Sequence, residues 1–229
     1  MSRPKFELSL LFVLFASVPV VASAQVEGNP ENWCRNGLYT HDAAGFRVGH
    51  VVGAKGARAY FFGDASEDCP GAGAKCRQRA YVLPGDAVVV SRRLGDYVCA
   101  WFAPARGPET VGWLRAEQVS LSEADAGPPL ARWLGAWEYA GQSLDIRRGK
   151  KAGALAVSGQ AFWRGQGDNV HVGEVEFEAA PAGNVLKLEE NEDLCSVRLQ
   201  LVGPFLVVSD NLKCGGLNVT FNGIYRKKQ

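Results

Sequence analysis

Few side chains in this sequence are able to do chemistry. Six cysteines, Cys34, Cys69, Cys76, Cys99, Cys195 and Cys214, accompany three histidines, His41, His50 and His171. No two cysteines form a CxxC pair and the histidines are not spaced beside them, whereas zinc wants closely paired ligands. The sequence therefore predicts no metal site and no other cofactor. Nucleophilic catalysis needs a hydroxyl or thiol with a base, and the Gly-x-Ser-x-Gly signature is absent. Walker and dinucleotide glycine motifs are absent too. Glu189-Glu190 and Glu192-Asp193 offer a general acid and base, but they lie in a polar run before Cys195 and read as a solvated turn. His41 and His50 fall in an N-terminal extension and His171 starts a strand, so all three read as surface or packing residues. No catalytic residue is assigned, and a non-enzymatic protein is expected.

An even cysteine count without metal-ligand spacing reads as three disulfides, which persist in an oxidising compartment. The N-terminus supplies a route there. Arg3 and Lys5 precede an almost wholly apolar stretch from Leu8 to Val21, and Ala22-Ser23-Ala24 provides the small residues of a cleavage site. Residues 1–24 are read as a signal peptide with cleavage before Gln25. The apolar run is shorter than the roughly 20 residues that span a bilayer, and Pro19 interrupts it, so no stable membrane insertion is expected after cleavage. Localisation is predicted to be periplasmic or secreted.

The 229 residues suit one large domain or two small ones. Hydrophobic residues at 47% and charged residues at 21% exclude the disordered and fibrous classes. Lys and Arg number 25 against 24 Asp and Glu. Removing Arg3, Lys5 and Glu7 with the signal leaves 23 of each, so no global charge argues for nucleic acid or a polyanion. Residues 121–130 are small, polar and Pro-bearing, and read as a linker. On both sides the apolar pattern has period two, which predicts an all-β protein of two domains. That boundary divides the cysteines four and two, pairing Cys195 with Cys214. Among the first four, three pairings remain; Cys69 with Cys76, which share one loop, is favoured, leaving Cys34 with Cys99.

In the first half, strands are read at Ala59 to Phe62, Arg79 to Leu83, Ala87 to Ser91, Tyr97 to Phe102 and Thr110 to Leu114. Gly85-Asp86, Val88 to Val90, Gly95 to Val98 and the closing Gly112-Trp113-Leu114 occur in the order of the bacterial SH3-like domain, which residues 55–120 resemble. The fold this implies is a small barrel, with residues 25–54 as an N-terminal extension. Such domains recur in binding peptidoglycan or envelope proteins.

Residues 131–229 carry about eight short strands, from Trp133 to Tyr139 at one end to Val219 to Arg226 at the other. They read as an antiparallel barrel or sandwich that avoids exposed edges by closing. Cys195 to Leu201 alternates strictly, predicting one buried and one wet face. A hairpin centred between Gly203 and Pro204 sets residue 212 opposite Cys195, which brings Cys214 within reach. Gly135-Ala136-Trp137 with Arg226 resembles the lipocalin-like arrangement, which implies that the arginine packs over the first-strand tryptophan. The tail from Asp210 to Arg226 is similar to uncharacterised exported proteins, some grouped with lysozyme inhibitors.

The aromatic residues of the first half, Tyr60, Phe61, Phe62, Tyr81, Tyr97, Trp101, Phe102 and Trp113, exceed what one small core easily hides. Most must be core; Tyr97 and Trp101 share the strand face of Cys99. Tyr60 and Trp113 are the candidates for exposed binding rings. The expected function is recognition of peptidoglycan or an envelope protein by the SH3-like domain. The alternatives are an inhibitor or immunity protein against a wall-degrading enzyme, and small-ligand carriage in the second barrel.

Overall fold

Runs of Val, Leu and aromatic residues at alternate positions, cut by Gly-Asp, Gly-Pro and Ala-Gly turns, fold here entirely as antiparallel strands. The computed structural model describes residues 29–40, 45–123, 125–188 and 194–228. The signal-peptide segment, His41, Ala124 and the acid pairs at 189–190 and 192–193 lie outside the described residues.

The first half contains β1 (Arg47–Val51), β2 (Ala59–Phe62), β3 (Arg77–Val82), β4 (Ala87–Leu94), β5 (Tyr97–Phe102), β6 (Thr110–Arg115) and β7 (Val119–Leu121), with a 3₁₀ turn at Ala116–Gln118. They form one sheet in the order β3-β2-β6-β5-β4-β1-β7. Residues assigned to an extension thus supply β1, which pairs with both β4 and β7. The period-two signal missed it because Gly49 and His50 interrupt the apolar pattern. Gly49 is required there, since a Cβ would lie 2.6 Å from Val119 Cγ1.

The second half contains β8 (Gly135–Tyr139), β9 (Gln142–Arg148), β10 (Leu155–Arg164), β11 (Val170–Ala179), β12 (Val185–Leu188), β13 (Val197–Val202), β14 (Phe205–Asp210) and β15 (Gly223–Lys227). Their order is β11-β10-β9-β8-β15-β14-β13-β12, an up-and-down sheet whose first and last strands pair. With β11 beside β12 the sheet is a nearly closed barrel. Trp133, Trp137, Phe221 and Tyr225 are fully buried and fill it with Leu144, Leu155 and Leu199. The segment after β14 crosses the barrel at Gly173, where a Cβ would lie 2.3 Å from the Cys214 carbonyl. Asn218 lies in a turn of this segment, with a positive φ of 66°.

All three disulfides have the expected partners: Cys34–Cys99, Cys69–Cys76 and Cys195–Cys214. The hairpin register explains the last. Val202 faces Phe205 and Val197 faces Asp210, which continues to Cys195 opposite residue 212. The three bridges suggest an oxidising, exported location. Among the described residues no helix is long and apolar enough to cross a membrane.

Each half has a hydrophobic cluster of its own, and a third cluster spans the linker. This third cluster joins Phe46, Val89, Trp101 and Val111 of the first half to Val202, Val207 and Ile224 of the second. The face of β13 expected to be wet is therefore covered, and Gln200 is only 5% exposed. Its side-chain amide accepts from the Phe46 N–H at 3.1 Å and donates to the Phe46 carbonyl at 3.2 Å, satisfying both buried backbone groups.

Candidate functional site

The hairpin of β2 and β3 carries the one expected binding ring that stays at the surface. In β2, Ala59, Phe61 and Phe62 are buried while Tyr60 is half-buried. In β3 the alternation turns Arg77, Arg79 and Tyr81 outward, all exposed. Tyr60 and Tyr81 are direct cross-strand partners, and their rings meet edge-to-face with centroids 5.7 Å apart.

Guanidinium groups flank this pair. Arg58 lies 4.4 Å from the Tyr81 ring centroid, and Arg77 lies 4.8 Å from that of Tyr60. A hydrogen bond with the Tyr60 side chain is the main cause raising the Arg58 pKa. At exposed sites each cation–π contact contributes about 0.5–1 kcal/mol, which favours this arrangement without burying the side chains. Because β3 ends the strand order, this face stands at a sheet edge. The arrangement presents ring surface beside several N–H donors, a combination suited to a partner with both carboxylates and sugar rings.

Trp113, the second expected binding ring, is instead a core residue at 0% exposure. Its cross-strand partner is Cys99, and the disulfide from Cys99 to Cys34 draws the N-terminal segment over the indole. Trp113 Nε1 donates to the Asn32 carbonyl at 2.8 Å, and Arg92 lies 5.4 Å from the ring centroid. The buried Asp64 fixes the same segment, accepting from the Cys34 N–H at 2.7 Å and from the Arg35 guanidinium at 2.8 and 2.9 Å. Treating residues 25–54 as peripheral hid this cover. Tyr97, Cys99 and Trp101 all face one core.

Arg226 does not pack over the first-strand tryptophan. It crosses the junction to lie 5.5 Å from the Trp101 centroid and 5.7 Å from that of Phe205, and donates to the Ala103 carbonyl. Lys227 takes the place over Trp137, 5.2 Å from its centroid. Strand alternation explains the exchange, because Lys227 is the cross-strand partner of Trp137. Glu109, unremarked in the sequence, accepts from Trp101 Nε1 and from the Tyr139 hydroxyl, each at 2.8 Å, linking the two halves. No period or motif marks that residue.

Two of the three histidines, His50 and His171, lie among the described residues. His171 pairs with the Leu217 carbonyl and lies beside Trp163, and His50 is on the exposed side of β1. Among the described residues, no three His, Cys, Asp or Glu side chains are grouped to hold a metal ion. Comparison of the chain with known protein families, curated proteins and solved structures found no match.

Proposed function

We propose that this is an exported, non-enzymatic binding protein of the cell envelope, periplasmic or secreted, that recognises peptidoglycan through the β2–β3 face. The observation that carries the reading is the Arg58–Tyr81–Tyr60–Arg77 arrangement at a sheet edge. Peptidoglycan offers free carboxylates on its stem peptides to the guanidinium groups, and the C–H faces of its sugars to the rings. An SH3-like reading of the first half is supported by β1 pairing with both β4 and β7, and by the 3₁₀ turn between β6 and β7. The lipocalin-like reading of the second half is supported by its up-and-down order, but an interior occupied by Trp133, Trp137, Phe221 and Tyr225 does not favour ligand carriage inside the barrel.

Co-sedimentation of the full oxidised chain with purified peptidoglycan tests this function. Binding is expected to be saturable and to weaken as salt is raised, because exposed charge pairs are screened. A chain that stays in the supernatant at low salt would rule it out.

A further inference from the structure

A cleft that shares no lining residue with the β2–β3 face lies where the two halves meet. It encloses about 360 Å³, within the range of roughly 300–1,000 Å³ usual for small-molecule clefts, which favour domain junctions. Its floor is apolar, built from Phe46, Val48, Leu201 and Val202, and the turn Gly203-Pro204 forms one lip.

The walls are locked by bonds between distant parts of the chain. Gln200 holds the Phe46 backbone against β13, as described above. Arg132 donates to the Gly203 carbonyl at 2.6 Å, and Arg47 donates to the Ser122 carbonyl. Gly203, with φ of 56°, comes so close to β1 that a Cβ would lie 2.6 Å from Val48 Cγ2. A concavity held in this way is formed before anything enters it, which lowers the ordering cost of binding.

The rim decides the ligand class. His50 also lines the cleft; the formal charges around it cancel, Arg47 and Arg132 against Glu123 and Asp125, and Arg132 is already paired with Asp125. A charged ligand would lose hydration and find no net opposite charge, whereas an apolar body would displace water from the floor. We propose that this junction cleft binds a small, uncharged, mainly apolar molecule.

Titration of the full oxidised chain with indole, followed by amide NMR shifts, tests the proposal. Indole-3-acetate and tryptamine serve as anionic and cationic counterparts. Indole is expected to give saturable shifts centred on Val48, Asn184 and Gly203, with at least threefold weaker binding of either charged analogue. Val48→Phe, and independently Ala87→Leu on the neighbouring strand β4, should each weaken indole at least tenfold in a chain that retains its amide dispersion. Shifts scattered over the surface, equal or tighter binding of a charged analogue, or unchanged binding in a folded filled variant would each overturn it. The β2–β3 face takes no part in this experiment, so its outcome is independent of the proposed function.

Discussion

The ring of Trp101 meets Phe205 edge-on at 5.3 Å, although the two residues lie on opposite sides of the linker. The contact sits inside a common core with Phe46, Val202, Val207 and Ile224, so the halves stabilise each other. Trp101→Ala should cost roughly 3–5 kcal/mol, the usual loss for a buried large aromatic. Chemical denaturation should show one cooperative transition for the whole chain, and segments 29–123 and 130–228 expressed apart should not fold to native-like stability. Two independent transitions, or two stable separate segments, would contradict the shared core.

Non-reducing peptide mapping should recover Cys34–Cys99, Cys69–Cys76 and Cys195–Cys214 and no linkage across the linker. In the chain-entropy account the cost of removing each rises with the loop it closes. The expected values are about 4 kcal/mol for the separation of 65, about 3 for 19 and about 2 for 7. Paired Cys-to-Ser variants compared by denaturation in oxidising buffer should reproduce that order.

Asp210 organises the segment that crosses the barrel. Its carboxylate accepts from the Leu212 and Phe221 N–H groups and from the Thr220 hydroxyl, and its own N–H donates to Asn222. Asp210→Ala leaves these donors without their charged acceptor and should cost about 2 kcal/mol. Asp210→Asn, which keeps a carbonyl oxygen, should cost less. Equal stability of both variants and the parent would show that water replaces the carboxylate freely.

Alkaline pH should unfold the protein. Burial raises the phenol pKa of Tyr39 and of Tyr225, and burial followed by Glu109 raises that of Tyr139. The folded state then keeps protons that the unfolded chain releases from about pH 10. Stability is fully present below that pH and falls above it, by about 1.4 kcal/mol per pH unit for each of Tyr39 and Tyr225 and by less for the half-exposed Tyr139. Denaturation midpoints between pH 8 and 11.5 check this, and Tyr39→Phe should flatten the alkaline slope. A flat profile in the parent would contradict it.

Much of the fold was legible because it is local. The strands at Ala59–Phe62 and Tyr97–Phe102 coincide with runs of β-forming residues, and the Gly203-Pro204 turn sets the register that brings Cys195 to Cys214. What was illegible depends on contacts distant in the chain. Val202, Val207 and Ile224 point away from the barrel interior and are buried by the first half, so strand alternation predicted the wrong surroundings for Gln200. Trp113 looked available because its cover comes from Asn32 and Cys34 in a segment that carries no strand pattern. Tyr81 passed as one core ring among several, although Arg77, Arg79 and Tyr81 at alternate positions already traced one outward face.

Tyr60 and Tyr81 are at the surface while Trp113 is core, so peptidoglycan co-sedimentation of single-ring variants measured beside their melting temperatures tests the account most directly. Tyr60→Ala and Tyr81→Ala should each cost about 2 kcal/mol of binding, a loss of roughly thirtyfold in affinity, with melting shifted only slightly. Trp113→Ala should instead lose roughly 3–5 kcal/mol of stability. If both tyrosine variants sediment like the parent while remaining folded, the β2–β3 face is not the recognition surface.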